Sequence, residues 1–233
     1  MNYSSNRNGV QQMNLELESK KYLVLRDVLS EEMKSVLKFY FELKFFILED
    51  FKTQGGTLNS NEVVQPFSKF KYSDPLTESL MLHFTPLISE NVNKKLVPTY
   101  SATRYYEKGQ TLRPHKDRPS CQYSITLPLY VEKEEEEMPW SIYIEGEDVS
   151  LNVGDMLIYK GCESEHWRKQ YEGKLQVQAH LHYVDSEDHA YREYAIDKRA
   201  YYGLDKTSAE HVFKNIFEHS AQLTNQLSAY GKS

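Results

Sequence analysis

The sequence predicts a mainly β fold with flanking helices, an α+β arrangement within one domain. From about residue 98 to residue 184, short apolar runs alternate with glycine, proline and charged clusters, the pattern of a β-barrel or sandwich. Ahead of that region, two longer segments repeat their apolar side chains with the period of a helix. A chain of 233 residues is long enough to bury a substantial core in a single domain.

The N-terminal region begins with a polar stretch, residues 1–19, that is rich in Asn, Ser and Gln. We expect it to be flexible and to precede one domain at 20–233. A short strand is predicted at 22–25. Ser30 then provides a helix N-cap, because its hydroxyl can accept a hydrogen bond from a free backbone N–H of the first turn. Two glutamates and an apolar pattern follow, which predicts a helix that ends near residue 47.

A second helix is predicted to begin at Asp74-Pro75, since proline is favoured at the first helical position, where its missing N–H costs nothing. A last helix is predicted at about 207–229, where Thr207 and Glu210 form a capping-box pattern. Its apolar side predicts packing on the domain or on a second copy, hence a monomer or a homodimer through this helix. The second helix carries one apolar stripe that is expected to pack on the sheet: Leu76, Leu80, Met81, Phe84, Leu87 and Ile88.

The composition of the chain excludes several kinds of partner. The formal net charge of −6 argues against nucleic acid, since binding a phosphate backbone needs clustered Lys and Arg. No stretch resembles a signal peptide or a membrane span, so we expect a cytoplasmic protein without a membrane partner. Cys121 and Cys162 fit no disulfide framework and are expected to be reduced thiols. The acidic run at 132–137 predicts a solvated hairpin tip, because consecutive carboxylates repel one another.

The most informative motif is His115-Lys116-Asp117, with another histidine, His166, much later in the chain. Residues two apart on a strand point to the same side, so His115 and Asp117 are expected on one face. A histidine from a distant strand would complete a cluster of two imidazoles and one carboxylate. That set is the facial triad of non-haem Fe(II) oxygenases, which leaves three coordination positions free.

Turn and strand signals surround both parts of this motif. Gly109 and Pro114 bracket the turn and the strand that carries the His-x-Asp pair. The distal histidine follows the turn at Gly154-Asp155 and an apolar run that ends at Tyr159. The candidate ligands are therefore expected at strand ends or in adjoining loops.

These signals stand in a particular order along the chain: Tyr106-x-x-Gly109, Pro114-His115-x-Asp117, Gly154-Asp155-x-Leu157-Ile158-Tyr159 and His166. The ordered combination resembles the Fe(II)/2-oxoglutarate-dependent dioxygenases, nearest to the prolyl-4-hydroxylase-like branch. The similarity covers about residues 98–184. It implies a double-stranded β-helix, a two-sheet jelly roll with helices that buttress one sheet, in agreement with the strand-rich middle and the helical flanks.

The resemblance also implies an activity. His115, Asp117 and His166 would bind Fe(II), and 2-oxoglutarate would chelate the iron as the co-substrate, with ascorbate as an optional further cofactor. Oxidative decarboxylation would give succinate and CO2 and would hydroxylate a substrate. A peptidyl substrate, such as a prolyl side chain, or a small molecule is expected.

The cation that would bind the distal carboxylate of 2-oxoglutarate is harder to place. By resemblance it is an Arg or Lys about ten residues after the distal histidine, where this chain has Gln176. The planar fork of an Arg matches a carboxylate better, whereas Lys174 fits the spacing better. Tyr106 resembles the family tyrosine that contacts the co-substrate, and Thr126 on the following strand is a further candidate. Three nearby cations remain as alternatives: Arg168, Lys174 and Arg104.

Other interpretations use the same residues. A non-catalytic jelly-roll module would bind a ligand in the cavity without turnover. A cupin-like metal enzyme would need no 2-oxoglutarate, and His180-x-His182 offers a same-face histidine pair of the kind such enzymes use. That pair lacks the matching glutamate and third histidine in the usual order, so core or rim histidines are the favoured interpretation. Arg118 is expected either to orient Asp117 or to contact substrate.

Overall fold

The computed structural model describes residues 15–46, 57–58, 69–132, 139–199 and 202–203. Antiparallel strands predominate in these residues and form two sheets, so the predicted mainly β class with flanking helices is confirmed. Among the described helices, none combines the length and apolar character needed to span a bilayer. The predicted C-terminal helix and all but the first residue of the acidic run lie outside the described residues.

Eleven strands are described, and every pairing between them is antiparallel. The larger sheet has the order β1-β9-β6-β11-β4-β3-β2, and the smaller sheet has the order β5-β10-β7-β8. The strands are β1 (Tyr22–Leu25), β2 (Thr57–Leu58), β3 (Lys69–Tyr72), β4 (Leu96–Glu107), β5 (Leu112–His115), β6 (Tyr123–Glu132), β7 (Ile142–Ile144), β8 (Glu147–Val149), β9 (Met156–Tyr159), β10 (His166–Arg168) and β11 (Leu175–Asp185).

Local capping interactions define the helices. The hydroxyl of Ser30 accepts a hydrogen bond of 3.2 Å from the backbone N–H of Met33, as an N-cap should. The Asp74 carboxylate accepts one of 3.0 Å from the N–H of Leu76, and Asn93 ends that helix in the left-handed region. Both predicted helices agree with the observed bounds. The helices are α1 (15–20), α2 (Glu31–Phe46) and α3 (Pro75–Val92).

The two faces of the central strand β11 have different roles. Its odd-numbered side chains, including Val177 and Leu181, belong to the main hydrophobic core together with Leu37 of α2 and Ile88 of α3. Its even-numbered side chains point the other way and are polar, because side chains alternate across a strand. The polar set comprises Gln176, Gln178, His180 and His182. Helices thus cover one face of the larger sheet, and the opposite face forms the polar interior that contains the candidate site.

Glycines make the two turns that precede β5 and β9. Gly109 has a φ of +90° and Gly154 a φ of +91°, conformations that side chains with a Cβ rarely adopt. Asp155 fixes the second turn, since its carboxylate accepts hydrogen bonds from the backbone N–H groups of Asn152 and Asp27. The Gly-Asp signal of the sequence is therefore a structural turn that connects the chain before α2 to β9.

The structure differs from the sequence-based expectation in one part of the N-terminal segment. Residues 15–20 form the helix α1, although 1–19 were expected to be flexible. Leu17 is 1% exposed and belongs to the main core. This stretch is polar on average, but the Leu17 side chain points inward from the helical turn. Burial of this side chain stabilises the turn.

Candidate metal centre and cavity

The candidate metal ligands meet where two paired strands end. His115 is the last residue of β5, His166 is the first residue of β10, and the two are direct partners in the antiparallel register. Their imidazole ring centroids lie 4.1 Å apart. Asp117 follows β5 by two residues, and its backbone N–H donates a hydrogen bond of 2.9 Å to the carbonyl of Gly161. Strand pairing thus brings together residues that are remote in the chain.

One carboxylate oxygen faces both rings. Oδ1 of Asp117 lies 3.6 Å from Nε2 of His115 and 3.6 Å from Nε2 of His166. Ligand atoms of the three side chains all lie within 4.8 Å of one another. Atoms that share one metal ion at about 2.0–2.2 Å from it are separated by comparable distances, so one ion can contact all three. The predicted cluster is therefore present as a geometric unit.

Backbone carbonyls orient both imidazoles in the same way. Nδ1 of His115 lies 2.8 Å from the carbonyl oxygen of Arg113, and Nδ1 of His166 lies 3.1 Å from that of Ser164. In each case Nδ1–H donates to the carbonyl two residues earlier, which leaves the Nε2 lone pair directed at Asp117. This orientation is the one that metal-binding histidines require.

The second oxygen of Asp117 is engaged by the protein. Ser124 Oγ donates a hydrogen bond of 2.6 Å to Oδ2, and Nδ1 of His182 lies 3.0 Å from the same Oγ. Burial by itself raises the pKa of Asp117, but the neighbouring imidazoles and the hydrogen bond from Ser124 outweigh it and hold the pKa below its usual range. Asp117 is therefore an anion, as a metal ligand must be.

Close packing around Asp117 depends on Gly161. A Cβ atom at this position would lie 2.6 Å from Oδ2 of Asp117 and even closer to the backbone carbonyl oxygen of Cys121 and to Ser124 Oγ. Because a backbone carbonyl cannot move aside at low cost, only glycine fits here.

A second cluster of ligand-type residues lies next to the first. Asp117, Cys121 and His182 also bring ligand atoms within 4.8 Å of one another. Their polar atoms are already used, since Ser124 bridges Asp117 and His182, and Cys121 Sγ lies 3.2 Å from the hydroxyl of Tyr100. We interpret this cluster as the hydrogen-bonded support of the candidate metal centre. Cys121 and Cys162 are free thiols, as predicted.

The three candidate ligands line a cavity of about 240 Å³. Its inner walls include apolar Leu112 and Ile142 and the two histidines of β11, His180 and His182. Burial lowers the pKa of His182 to about 4 and lowers that of His180 well below its usual value, so both rings are neutral at pH 7. Nε2 of His180 is buried and has no hydrogen-bond partner among the residues that the structure describes. A buried polar atom without a partner at a cavity wall indicates a place for a polar ligand.

Arg168 lies on the same face of β10 as His166 and is 1% exposed. Its Nη1 donates a hydrogen bond of 2.7 Å to the carbonyl of Trp140, and its Nη2 donates one of 3.2 Å to the amide oxygen of Gln178. Nε has no partner, and no carboxylate in the described part of the chain pairs with the guanidinium. Burial accordingly lowers the pKa of Arg168 to about 10. A buried cation without a counter-ion is costly unless an anionic ligand neutralises it.

The other predicted co-substrate contacts have different positions. Lys174 lies on the surface, 65% exposed, and its Nζ pairs with Glu132 at 2.5 Å. Its spacing suited the role, but the side chain precedes β11 and points outward. Arg104 lines the cavity, and its guanidinium lies 4.4 Å from the ring centroid of Phe70.

Tyr106 and Thr126 lie in the polar interior. Tyr106 is fully buried, with its ring 4.8 Å from that of Trp140, and Thr126 Oγ1 accepts a hydrogen bond of 3.1 Å from the amide of Gln178. Like Arg168, neither side chain is among the described residues that line the 240 Å³ cavity. Both lie next to residues that contact Arg168.

Arg118 is held by a carboxylate from the region after β11. Its guanidinium makes two hydrogen bonds of 2.8 Å to Asp197, and it lies 4.4 Å above the ring centroid of Tyr100. Asp197 also accepts hydrogen bonds from Tyr72 and Ser120. Arg118 lines the cavity and follows Asp117 directly, so this cluster fixes the wall beside the candidate metal centre.

Sequence analysis missed Ser124 and Gly161 as parts of the site, and it assigned His182 to the core or rim without a role. One signal was available: a central strand with four polar residues at alternating positions indicates a polar interior instead of a dry core. The partners of those residues could not be read from the sequence.

The fold and the comparisons agree. The two-sheet arrangement is the double-stranded β-helix of the Fe(II)/2-oxoglutarate oxygenases, as the resemblance predicted. Neither a protein-family model nor the sequence of any curated protein matches this chain. Solved structures do match, at 10–14% sequence identity.

Three of these structures illustrate the kinds of protein that share the fold. A prolyl-4-hydroxylase of Pseudomonas putida has a TM-score of 0.55 and 13% identity, over 76% of this chain and 98% of that one. A prolyl hydroxylase of Trichoplax adhaerens, in complex with a hypoxia inducible factor peptide fragment, has a TM-score of 0.56 and 13% identity, over 79% and 96%. HygX of Streptomyces hygroscopicus, with nickel, 2-oxoglutarate and hygromycin B bound, has a TM-score of 0.54 and 14% identity, over 76% and 88%.

Proposed function

We propose that this protein is an Fe(II)- and 2-oxoglutarate-dependent oxygenase in which His115, Asp117 and His166 bind the iron. The observation that carries the proposal is the convergence of two Nε2 atoms on one carboxylate oxygen, each at 3.6 Å. Two imidazoles and one carboxylate suit Fe(II), and they leave coordination positions for a bidentate oxoacid and for dioxygen. When bound, iron and 2-oxoglutarate would supply oxidative decarboxylation to succinate and CO2, coupled to hydroxylation of a substrate.

Arg168 is the residue that we assign to the distal carboxylate of 2-oxoglutarate. It is two residues from His166 on one strand face, which separates their Cα atoms by roughly 6.6 Å. Its guanidinium is buried without a carboxylate partner among the described residues, and its Nε is unsatisfied. An incoming carboxylate would supply both the charge and the acceptor that this group lacks. The unsatisfied Nε2 of His180 gives the co-substrate a second polar contact at the cavity wall.

The remaining residues would orient the reactants and limit access of water. Ser124 and the two backbone carbonyls hold the three ligands in place before any metal arrives, so little reorganisation accompanies binding. Leu112 and Ile142 give the inner cavity apolar walls, which disfavour water near the reacting centre.

For the substrate, we propose a peptidyl side chain, for example a prolyl residue, or a small molecule. The support is the fold shared with a prolyl hydroxylase that holds a peptide fragment and with HygX, which holds hygromycin B. The protein would act as a monomer or as a homodimer through residues 207–229. Both statements rest on sequence and resemblance.

The first experiment tests metal and co-substrate binding. Purified protein is loaded anaerobically with Fe(II) and then with 2-oxoglutarate, and the charge-transfer absorption band of the chelate is recorded. The wild-type protein should show the band, and His115→Ala should lose it while its far-UV circular dichroism stays unchanged. Lys174→Ala, at a surface ion pair, should keep the band. Absence of the band in folded wild-type protein would contradict the proposal.

A second experiment separates the two candidate arginines. Arg168→Met should weaken 2-oxoglutarate binding roughly 100-fold, because charge-assisted hydrogen bonds are lost. Arg104→Met changes a cavity arginine of the same size and should weaken binding much less. The reverse order would assign the distal carboxylate to Arg104. Succinate release coupled to oxygen consumption then distinguishes an enzyme from a binding module.

A further inference from the structure

Trp140 makes an unusual set of contacts with Arg168. The Arg168 guanidinium lies 4.6 Å from the centroid of the indole ring, and it also donates a hydrogen bond of 2.7 Å to the Trp140 backbone carbonyl. A cation over the face of an aromatic ring is stabilised by the ring quadrupole, most strongly for tryptophan. One residue therefore supplies two of the interactions that keep this buried cation in place.

The indole itself is fixed on several sides. Nε1 donates a hydrogen bond of 3.0 Å to the carbonyl of Lys169, which leaves the ring little freedom to rotate. The ring packs against Tyr106 with a centroid distance of 4.8 Å and against Tyr171 with one of 4.9 Å. Trp140 is thus a rigid support for Arg168.

On its other side Trp140 faces outward. It lines a second cavity, of about 360 Å³, together with Tyr143 and Lys169. The indole therefore lies between this surface cavity and the guanidinium of Arg168, which is 1% exposed. A smaller side chain at this position would open space behind Arg168 and let the guanidinium shift away from the candidate metal centre.

We propose that Trp140 is a positioning residue that fixes the depth of the co-substrate pocket and so selects a five-carbon 2-oxo dicarboxylate over a longer one. The inference rests on the proposed function, in which iron and Arg168 hold the two ends of the co-substrate. With C–C bonds of about 1.5 Å, each further methylene lengthens the acid by roughly 1.3 Å. The indole packs against the guanidinium at 4.6 Å and so limits how far Arg168 can move in that direction. A pocket of fixed depth discriminates one methylene by about 10- to 200-fold.

The test compares 2-oxoglutarate with its six-carbon homologue, 2-oxoadipate. Protein loaded anaerobically with Fe(II) is titrated with each acid, and the charge-transfer band gives both dissociation constants. The wild-type protein should prefer 2-oxoglutarate at least about 10-fold. In Trp140→Ala the two dissociation constants should be nearly equal. In Trp140→Phe their ratio should lie between one and the wild-type value.

Trp167→Ala is the matched control, since it removes the other tryptophan of the chain. That indole stacks on Tyr143 with a centroid distance of 3.9 Å, on the strand face opposite to His166 and Arg168. The control should keep the wild-type ratio. If Trp140→Ala does not fold, Trp140→Phe carries the test. A preference for 2-oxoglutarate below that of the wild-type protein supports the inference, and an unchanged preference contradicts it.

A second readout does not depend on iron. The chain has two tryptophans, so in Trp167→Phe all indole fluorescence comes from Trp140. Addition of 2-oxoglutarate to the Zn(II)-loaded variant should change its emission, and the same addition to Trp167→Phe with Arg168→Met should not. An unchanged acid preference in both Trp140 variants, with a normal band, would overturn this inference and leave the proposed function intact. A missing band in wild-type protein would instead contradict the proposed function itself.

Discussion

Ser124 donates a hydrogen bond of 2.6 Å to Oδ2 of Asp117, while Oδ1 of the same carboxylate faces the two histidine rings. A serine hydroxyl has one hydrogen, so Ser124 must accept from Nδ1–H of His182 at 3.0 Å. This chain of hydrogen bonds fixes the rotation of the Asp117 carboxylate. It leaves a single oxygen for a metal ion and therefore favours coordination through one oxygen atom.

Loss of this hydrogen bond should weaken metal binding. We expect Ser124→Ala to lower the affinity for Fe(II) or Co(II) by about 10- to 100-fold, as is usual when a partner that orients a ligand is removed. Titration against a competing chelator measures the change. Ser79→Ala, at an exposed serine whose hydroxyl donates to the backbone carbonyl of Pro75, should leave the affinity unaltered. Equal affinities for Ser124→Ala and wild type would show that the hydroxyl does not position Asp117.

A methyl group at Gly161 should disturb the same carboxylate. Gly161→Ala places a Cβ atom 2.6 Å from Oδ2 of Asp117, and overpacking of this kind costs about 1–3 kcal/mol. We expect a lower free energy of unfolding in urea together with weaker metal binding. Gly146→Ala is the comparison, because its Cβ would meet nothing within 4 Å and only the backbone strain of its φ of +87° remains. Metal binding that falls equally in both variants would rule out a local effect at Asp117.

The stability of the metal-free protein should depend on pH through its buried histidines. Burial lowers the pKa of His182 to about 4 in the folded state, against an ordinary value of 6.5. Below pH 6.5 this histidine is protonated in the unfolded chain but stays neutral in the folded protein. The stability that it contributes above pH 6.5 is therefore lost as the pH falls towards 4. Between pH 6.5 and 5.5 this group alone should cost about 1 kcal/mol.

Urea unfolding at pH 7.5, 6.5 and 5.5, in the presence of a chelator, measures this dependence. His182→Gln should reduce the dependence of the free energy of unfolding on pH, and His189→Gln, at an exposed histidine, should not. The slope should not vanish in His182→Gln, because burial also lowers the pKa of His166 and His180. A slope that is the same in all three proteins would contradict the assignment of His182 as a neutral buried ring.

A buried ion pair ties the end of the described chain to the helical layer. Arg199 Nη2 lies 3.2 Å from Oε2 of Glu78, with the side chains 0% and 4% exposed. Arg199→Met should destabilise the protein by about 3–5 kcal/mol, because it leaves a buried carboxylate unpaired. Lys38→Met breaks an exposed pair with Glu42 and should cost under about 1 kcal/mol. Urea denaturation gives the free energy of unfolding of both variants. Adding Glu78→Gln to Arg199→Met should recover part of the lost stability. If the effects of the two substitutions simply add, the two side chains do not interact energetically.

Local signals in the sequence were sufficient for several elements. Ser30, Asp74 and the proline after it predicted where two helices begin, because capping acts within one turn of the chain. The strand Tyr22–Leu25 was predicted with the bounds that the structure shows. Residues 15–20 were missed, since one buried leucine in a polar stretch gives no periodic signal.

The choice among cations illustrates the limit. Arg168 and Lys174 both lie within ten residues of His166, and spacing alone slightly favoured the lysine. The structure gives the two residues different surroundings: Arg168 shares a strand face with His166, whereas Lys174 precedes the next strand and pairs with Glu132 on the surface. Side-chain direction depends on where a strand begins, and that boundary is set by pairing with other strands.

The sequence by itself determined the fold class and identified the three candidate ligands, since the strand pattern and the His-x-Asp pair are properties of short segments. Only the tertiary structure decided which groups surround that set: Ser124 and His182 at the second oxygen of Asp117, and Trp140 behind Arg168. These partners lie on different strands and loops, remote from one another in the chain. Their contacts exist only after two sheets have paired and packed, so no local pattern of residues encodes them.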